Sequence, residues 1–384
     1  MDHNATTPVS PEVIEAMYPY FRKIFGNASS VHFFGREAKK GLNNARKNVA
    51  ELIKCSPEEI IFTSGGTEAD NLAIFGIMKA NRKKGKHIIT SQIEHHAILN
   101  SCKILEQEGY EVTYLPVDKY GIIDLEELKY AIRADTVLIS IMAANNEIGT
   151  IEPIDMIGQV AHEHGIIFHT DAVQAAGKFP IDVNKMNIDL LSMSGHKLYG
   201  PKGVGALFIG KNIVVSPLQY GGHHEHNLRA GTENISGIIG FAKACEIAKR
   251  DMEIDNNNIF NLKKKLYNAI SKSIPEVLFN GHTEKCLAGT LNVCFKYIEG
   301  ESILLSLDNE GIAASTGSAC SSKSLEPSHV LLAIGIQPEM AHGSIRFSLG
   351  KENTEDEIDY VINKLPDLIE KLRNMSPLYN KQPS

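Results

Sequence analysis

Short apolar runs alternate with stretches of helical periodicity between about residues 36 and 250. Leu42, Ala45, Val49 and Leu52 keep the spacing of one helical face, and residues 68–78 also predict a helix. The apolar runs predict buried strands. These predicted strands are 60–63, 87–90, 112–115, 136–142, 166–170 and 189–193. Strands that alternate with helices indicate βαβ units and a mainly parallel sheet covered on both faces.

The pattern of predicted helices and strands changes after about residue 255. An acidic and polar stretch at 251–258 precedes a predicted long helix at 259–273, and shorter strands are predicted at 290–295 and 344–348. The 384 residues exceed the usual size of one hydrophobic core, so we expect two domains. A large α/β domain would span 13–255, and a smaller α+β domain would combine 1–12 with 256–384.

Charge and composition argue against several classes of function. The 39 basic and 46 acidic residues are mixed along the chain and give a net charge of −7, so we expect no nucleic-acid partner. No apolar stretch is long enough for a membrane span, and no secretory signal is visible. The six cysteines form no C-x-x-C pair, which argues against a zinc site or disulfide framework and favours a reducing cytoplasm.

Lys197 and Asp171 stand at the ends of two predicted strands. Asp171 closes the run at 166–170, and Lys197 follows the run at 189–193 through a small-residue turn. Open α/β folds bind ligands at this edge of the sheet. An amine and a carboxylate there suit pyridoxal phosphate, whose aldehyde needs an amine and whose ring nitrogen needs a carboxylate. The alternative is a solvated surface lysine, the common state of lysine in a loop.

Residues 64–68 predict an anion-binding turn between a strand and a helix. Gly66 lets backbone N–H groups approach a phosphate, and Thr67 adds a hydroxyl. A plain glycine-rich turn is the alternative. His95, again just past a strand, can stack on an aromatic cofactor and shuttle protons, or it can simply cap a helix.

Three further polar residues lie near the same predicted edge or in the second domain. Gln174, three residues after Asp171, can donate to a phenolic oxygen, while Asn146 lies in a loop where amides often only tie turns. Arg346 lies among apolar residues and needs an anionic partner. That partner is either a substrate carboxylate or the acid of a buried salt bridge.

Cys320 lies in a run of small and polar residues at 315–324 that predicts an exposed, mobile loop. A free cysteine there, close to Lys323, is typical of a nucleophile, although an incidental exposed thiol is the alternative. The histidine-rich segment 223–226 lies in a glycine-rich loop without the i, i+4 spacing of a zinc pair, so we expect no intrinsic metal. Thr232 follows in a turn that can offer a hydroxyl to a phosphate.

Together these segments resemble those of the pyridoxal-phosphate cysteine desulfurases of the NifS/IscS type. The similarity covers nearly the whole chain in order. The matching segments are 4–8, 26–32, 66–68, 94–95, 145–149, 171–174, 194–197, 229–232, 317–320, 325–330 and 346–350. The resemblance implies the fold-type-I architecture of pyridoxal-phosphate enzymes, with a seven-stranded, mainly parallel sheet in the large domain, and a homodimer whose active sites draw on both subunits.

By motif position, the resemblance also implies the roles of the cofactor-binding residues. Lys197 would be the Schiff-base lysine and Asp171 the partner of the pyridine nitrogen. Gln174 would contact the ring oxygen, and His95 would stack on the ring. The remaining cofactor contacts, mostly to the phosphate, would be Gly66, Thr67, Asn146, Ser194, His196 and, from the neighbouring subunit, Thr232.

The resemblance implies a reaction as well. Asn146 and Arg346 would hold the carboxylate of L-cysteine, and Cys320 would take its sulfur as a persulfide and leave L-alanine, with His95 as the base for the thiol. The persulfide would pass to an iron–sulfur scaffold protein or another acceptor, with which Cys320 could transiently ligate a cluster. A nitrogenase-type scaffold, a general cluster scaffold and a tRNA-thiolation relay all remain open as acceptors.

Other functions on the same scaffold are a selenocysteine lyase, an aminotransferase and an idle protein that binds sulfur-transfer partners. Intact Lys197, Asp171 and Cys320 argue against the last of these. The sequence departs from the family pattern in three places. It opens at Met1 without the usual lead-in residues, which suggests a clipped start; Ala28 replaces a proline; and His226 and Asn227 replace arginine and glycine.

Overall fold

A seven-stranded sheet forms the centre of the fold in the computed structural model, which describes residues 1–316 and 327–379. Its strands, in spatial order, are β1 (Ile60–Thr63), β7 (Gly205–Ile209), β6 (Leu190–Ser194), β5 (Ile167–Asp171), β4 (Thr136–Ser140), β2 (His87–Ser91) and β3 (Glu111–Leu115). The predicted strands of this part of the chain are confirmed to within two residues at each end. The sequence did not reveal β7.

The five strands β3, β2, β4, β5 and β6 run parallel, and β7 lies antiparallel between β6 and β1. The mainly parallel sheet is therefore confirmed. In the pairing of β5 with β6, Asp171 lies opposite Ser192. The carboxyl ends of β2, β4, β5 and β6 consequently meet at one edge, where the candidate chemistry lies.

Helices cover both faces of this sheet. Ile60 and Ile61 are adjacent in β1, yet they belong to two different buried clusters. Because successive strand residues point to opposite faces, each face has its own apolar core. The helices of this region are α1 (Pro11–Met17), α2 (Pro19–Arg22), α3 (Phe33–Ile53), α4 (Gly66–Ala80), α5 (His96–Gln107), α6 (Leu125–Ala131) and α7 (Ile154–Glu163).

A second, antiparallel sheet has the order β10-β9-β8 and its own apolar core. Its strands are β8 (Val277–Asn280), β9 (Thr290–Phe295) and β10 (Ser344–Ser348), and the helices that follow α7 are α8 (Ile235–Ser273), α9 (Gly300–Asn309), α10 (His329–Ala333), α11 (Pro338–Ala341) and α12 (Glu355–Met375). The first residues of the chain join β10, since His3 N–H donates to the Ser348 carbonyl at 3.0 Å.

Helix α8 differs from its prediction because it runs unbroken over 39 residues. The polar stretch at 251–258 lies inside it, and none of these residues is buried. Its first part packs Phe241 into the core of the large sheet and its last part packs Leu266 into the core of the second sheet. The helix therefore spans two cores, and its polar middle faces solvent. A domain boundary at residue 255 stays a prediction.

No helix in the described ranges is both long and apolar enough to cross a membrane.

Candidate active site

A cavity of about 320 Å³ opens at the carboxyl ends of β2, β4, β5 and β6, next to the start of α4. Ten of the residues predicted from the sequence line it. They are Gly66, Thr67, His95, Asn146, Asp171, Gln174, Ser194, His196, Lys197 and Arg346. The fold thus brings together side chains that are up to 280 positions apart in the sequence (346 minus 66).

The start of α4 supplies one wall of the cavity. Gly66 is the first residue of this helix, and a Cβ atom there would lie only 2.5 Å from Val173 Cγ2. A side chain at this position would collide with the turn that follows Asp171, so the close approach requires glycine. The first backbone N–H groups of a helix have no acceptor within it, and together with the exposed Thr67 hydroxyl they suit a phosphate.

His95 is the N-cap of α5, and its Nδ1 accepts a hydrogen bond of 3.1 Å from the Ala97 N–H. An accepting Nδ1 leaves the proton of the neutral ring on Nε2. Burial is the main cause that lowers the pKa of His95 to about 4, and the charges of His96 and Lys197 contribute to this shift. His95 is therefore neutral at physiological pH, which suits a ring that stacks on a cofactor but makes it a weak base.

Two carboxyl groups lie side by side in the depth of the cavity. Burial raises the pKa of Asp171 to about 6, although the Val173 N–H and the charge of Lys197 lower it. Asp70 also lines the cavity, and burial together with the charge of Asp171 raises its pKa well above the usual range. Asp70 Oδ1 accepts no hydrogen bond from the described residues. Asp171 thus ionises before Asp70 and is the better partner for a cationic ring nitrogen.

Lys197 ends a short 3₁₀ turn that follows β6. Its Nζ donates to the Asn4 and Ala5 carbonyl oxygens, the latter at 2.8 Å. Gln174 Nε2 donates to the same Asn4 carbonyl at 2.9 Å. The N-terminal segment therefore binds both the amine and the amide in the cavity. Lys197 is half-buried and bonded to backbone carbonyls, so its amine is not simply solvated, and its role as the Schiff-base lysine stays a prediction.

Arg346 is buried, and its guanidinium has two partners. Nη2 forms an ion pair of 3.0 Å with Asp2, and Nη1 donates to the Asn146 carbonyl at 3.0 Å. The salt bridge that the sequence left open is thus present. Arg346 Nε is also buried and donates to none of the described residues. The guanidinium keeps that donor for an anion in the cavity.

One residue predicted to belong to the site, Thr232, does not line this cavity, and another, Cys320, is not described. Thr232 is exposed and does not line this cavity within the described chain. Its turn is tied to α4 by Arg229, whose Nε donates to Glu68 Oε1 at 2.8 Å. Cys320 lies outside the described residues, so the structure does not report on the loop predicted around it.

The histidine-rich segment at 223–226 has a structural explanation. Glu225 is buried and accepts two hydrogen bonds from Arg46 and one of 2.8 Å from the Phe62 N–H. Its carboxylate thereby joins α3, which carries Arg46, to β1, which carries Phe62. Among the described residues no group of three histidine, cysteine, aspartate or glutamate side chains is placed to hold a metal ion.

Sequence reasoning missed two residues of the site. Asn4 has 4% of its surface exposed, and its backbone and side-chain amide groups form hydrogen bonds with six other residues. The motif at 4–8 was the available signal, but nothing local showed that it packs beside Lys197. Asp70 lies in α4 and has the spacing of an ordinary buried helix position. Asp70 is distinguished by its place in the cavity wall and by a buried Oδ1 that accepts no hydrogen bond from the described residues.

The donor set fits pyridoxal phosphate. A helix N-terminus faces the cavity at Gly66, a carboxylate that ionises near pH 6 lies at Asp171, and an amine lies at Lys197. These are the groups that its phosphate, its ring nitrogen and its aldehyde need. On the side of Arg346, a guanidinium with a free N–H suits a carboxylate.

The chain is similar over nearly its whole length to proteins of one family. Residues 1–361 match the family described as aminotransferase class-V. The chain is 56% identical over 382 residues to the cysteine desulfurase IscS of Methanosarcina thermophila, a match that covers 100% of this chain and 94% of that protein. It is 49% identical over 382 residues to the cysteine desulfurase of Homo sapiens, covering 99% and 83% of the two chains.

Two solved structures have the same fold. A NifS-like protein has a TM-score of 0.91 at 39% identity and covers 97% of this chain and 99% of its own. SspA in complex with cysteine has a TM-score of 0.81 at 38% identity and covers 92% and 99% of the two chains.

Proposed function

This chain belongs to the class-V aminotransferase family, and we propose that it is a pyridoxal-phosphate-dependent cysteine desulfurase that converts L-cysteine to L-alanine. The observation that carries the proposal is the shared cavity of Lys197, Asp171 and Arg346. An amine and a carboxylate for the cofactor lie beside a guanidinium for the substrate carboxylate. A relative of the same fold, SspA, has been solved with cysteine, which supports this substrate.

The cofactor, when bound, withdraws electrons from the substrate Cα and so allows its proton to leave. Lys197 Nζ would hold the aldehyde, and with substrate bound it would accept and return the proton at the substrate Cα. Asp171, whose pKa is about 6, would be ionised at neutral pH and would keep the ring nitrogen protonated. Thr67, Ser194 and His196 would bind the phosphate, with Gly66 allowing its close approach.

Substrate binding uses the other side of the cavity. Arg346 would bind the carboxylate with the N–H that none of the described residues engages, and Asn146 would contact the same group. Gln174 would donate to the ring oxygen, and His95 would stack on the ring. Because His95 is neutral, with Nδ1 engaged by Ala97, we propose that it positions the ring and donates through Nε2 rather than acting as a strong base.

Cys320 would accept the sulfur. Its thiolate attacks the substrate sulfur to form an S–S bond, the Cβ–S bond breaks, and its electron pair stays with the carbon skeleton, which takes up a proton and leaves as alanine. The persulfide on Cys320 then passes to an iron–sulfur scaffold or another sulfur acceptor. A cluster ligated transiently by Cys320 and its partner belongs to the same proposal.

An exposed aromatic surface supports a homodimer. Tyr18, Phe21 and Phe25 are 71%, 61% and 62% exposed, and Phe33 and Phe34 lie close to Phe25 in the same surface. An apolar patch of this kind on one chain marks an interface. In such a dimer Thr232 would reach the phosphate of the neighbouring active site. Sedimentation of the native protein and of Phe21→Ser should show a dimer that the substitution weakens.

We place the protein in the cytoplasm. The five described cysteines are all free thiols, as a reducing compartment requires.

Product analysis tests the proposed function. Purified protein is incubated with L-cysteine, and alanine and sulfide are measured in the presence of a thiol. Equal amounts of both are expected, and Lys197→Ala should release neither while losing the cofactor absorbance near the visible–ultraviolet boundary. A keto acid in place of alanine would indicate an aminotransferase, and turnover confined to selenocysteine would indicate a lyase for that substrate. A colourless protein without turnover would indicate a binding scaffold.

A further inference from the structure

Lys178 lies directly behind the wall of the cofactor cavity. Its Nζ donates a hydrogen bond of 2.9 Å to Gln174 Oε1 and lies 3.5 Å from Asn4 Oδ1. Lys178 and Lys197 both line a second cavity, of about 70 Å³, on the far side of Asn4. The larger cavity has Lys197, Gln174 and Asn4 in its wall but not Lys178. Lys178 therefore reaches the site through these neighbours.

The contacts of Lys178 determine the orientation of the Gln174 amide. An ammonium group donates and never accepts, so the end of the amide beside Lys178 is Oε1. Nε2 is thereby turned toward Asn4 and donates to its carbonyl at 2.9 Å. The Asn4 amide is fixed in the same way, because its Nδ2 donates to Thr290 Oγ1 at 2.9 Å and leaves Oδ1 for Lys178. One N–H of Gln174 Nε2 is used by Asn4, and since Gln174 lines the cavity its second N–H can serve a cofactor oxygen.

The charge of Lys178 is not neutralised by its contacts. Both of its acceptors in the described structure are neutral amide oxygens. Desolvation is the main cause that lowers the pKa of Lys178 to about 7, and the charges of Lys197 and Arg346 contribute to this shift, so Lys178 carries its charge mainly below about pH 7. Four other charged or titratable side chains line the small cavity, namely His3, Tyr199, Asp255 and Lys351. Asp255 is the acid among these four, and at the neighbouring site Asp2 forms an ion pair with Arg346 rather than with Lys178.

We propose that Lys178 is a positioning residue of this site, which holds the Gln174 amide toward the cofactor and places a buried positive charge behind it. Such a charge favours an anionic ligand in the cavity and disfavours a second cation at Lys197 Nζ. The cofactor of this site rests on the proposed function, while the contacts and the charge of Lys178 do not.

A pH titration of cofactor absorbance tests this role. Protein loaded with pyridoxal phosphate is titrated, and the pKa of the cofactor linkage to Lys197 is read from the spectrum. Lys178→Met removes a nearby positive charge and should raise that pKa by about one unit, which is about tenfold in proton affinity. Lys178→Arg keeps the charge and should titrate like the native protein.

Two further variants separate the effect of Lys178 on the position of the Gln174 amide from the effect of its charge. Lys178→Gln keeps an N–H donor for Gln174 without the charge, so it should retain the native affinity for pyridoxal phosphate but show the raised pKa. Lys351→Met removes a lysine from the opposite wall of the small cavity, where its Nζ lies 4.6 Å from the centre of the Tyr199 ring, and should leave the titration unchanged. A native titration for Lys178→Met, or an equal shift for Lys351→Met, overturns the proposal.

These experiments distinguish a failure of the role proposed for Lys178 from a failure of the proposed function. A native protein that binds pyridoxal phosphate but makes no alanine from cysteine contradicts the desulfurase activity and still allows the titration. If desulfuration is normal and the native protein and Lys178→Met give the same titration curve, the role of Lys178 is contradicted and the proposed function is not.

A measurement on the protein without cofactor tests the role of Lys178 if the protein does not bind pyridoxal phosphate. Because the folded state holds the pKa of Lys178 near 7 and the unfolded chain holds it near 10.5, the native protein gains stability as pH rises between these values. The unfolding midpoint of Lys178→Met should lack that gain between pH 7 and 9.5, roughly the window set by the two pKa values. Parallel curves for the two proteins would show that folding leaves the pKa of Lys178 unchanged, which contradicts the buried position of this amine.

Discussion

Ser328 donates a buried hydrogen bond to Glu147 Oε2 across 181 positions of the chain. Ser328 lies just beyond the segment 317–326 that carries Cys320, and Glu147 follows Asn146 in the loop after β4. Before that segment, Ser315 exchanges two backbone hydrogen bonds with Arg346. The chain on both sides of 317–326 is therefore attached to the loop and the strand that carry the residues proposed to bind the substrate carboxylate.

Removing the Ser328 hydroxyl should destabilise the protein. Ser328→Ala leaves the Glu147 carboxyl buried without its donor and also removes the N-cap of α10, which together cost about 1–3 kcal/mol. Urea unfolding of the native and variant proteins measures this difference. Ser306→Ala is a matched control, because its hydroxyl bonds only to a carbonyl of its own helix and is exposed. Equal losses in the two variants would contradict the prediction.

Glu147→Gln should flatten the dependence of stability on pH. Burial raises the pKa of Glu147 to about 7 from an ordinary value of 4.5, although Ser328 and the charge of Arg346 lower it. A raised pKa in the folded state gives stability that is complete below pH 4.5 and is lost as pH rises through about 7. The glutamine cannot ionise, so its unfolding free energy should fall less between pH 5 and 8. An unchanged slope would show that Glu147 does not titrate in this range.

Asp171→Asn should bind cofactor but lose most of its turnover. The amide is isosteric, but it cannot stabilise a cationic ring nitrogen, and loss of such electrostatic stabilisation costs roughly 10²-fold or more in kcat. In the native protein, a cationic ring nitrogen should lower the pKa of Asp171 from the value of about 6 that burial gives it, so kcat should fall from protonation of Asp171 only at lower pH. Rate profiles against pH and cofactor absorbance measure both effects. Near-native turnover in the variant would contradict the assignment of Asp171.

Arg346→Lys should weaken cysteine binding more than it slows chemistry. A lysine cannot keep the Asp2 ion pair and the Asn146 contact while also donating to a substrate carboxylate. We expect KM for cysteine to rise roughly tenfold or more, as the loss of a charged hydrogen bond predicts. Asp2→Asn is the contrasting variant. It removes the acid that competes for the guanidinium and should lower KM or leave it unchanged, while a rise equal to that of Arg346→Lys would place Arg346 in a structural role.

Cys320→Ser should retain the cofactor absorbance and its response to cysteine but release no sulfide. The serine hydroxyl cannot accept sulfur as a thiolate does. Cys286→Ser is a suitable control, because Cys286 is a partly exposed thiol near the Lys263 side chain and outside the cavity. Sulfide release at the native rate from Cys320→Ser would exclude it as the acceptor.

The amino-acid pattern alone determined most of the strands and the edge at which the chemistry lies. Runs such as 60–63 and 166–170 are apolar because both faces of their sheet are covered, and this local signal needs no tertiary information. Ten site residues were predicted from motifs at the ends of such runs or from the family resemblance, and all ten line the cavity. The sequence did not reveal the unbroken α8, because propensity is weak where a polar helix joins two cores. It also did not reveal β7, although this strand is apolar and buried.

Only the tertiary structure decided which distant residues touch. Asp2 reaches Arg346 across 344 positions, and Asn4 contacts Lys197 and, through its side chain, Lys178. Local periodicity reports which face of an element is buried, but it carries no information about the partner that meets that face. The desolvation that raises the pKa of Asp171 and lowers the pKa of Lys178 likewise exists only once these segments have packed together.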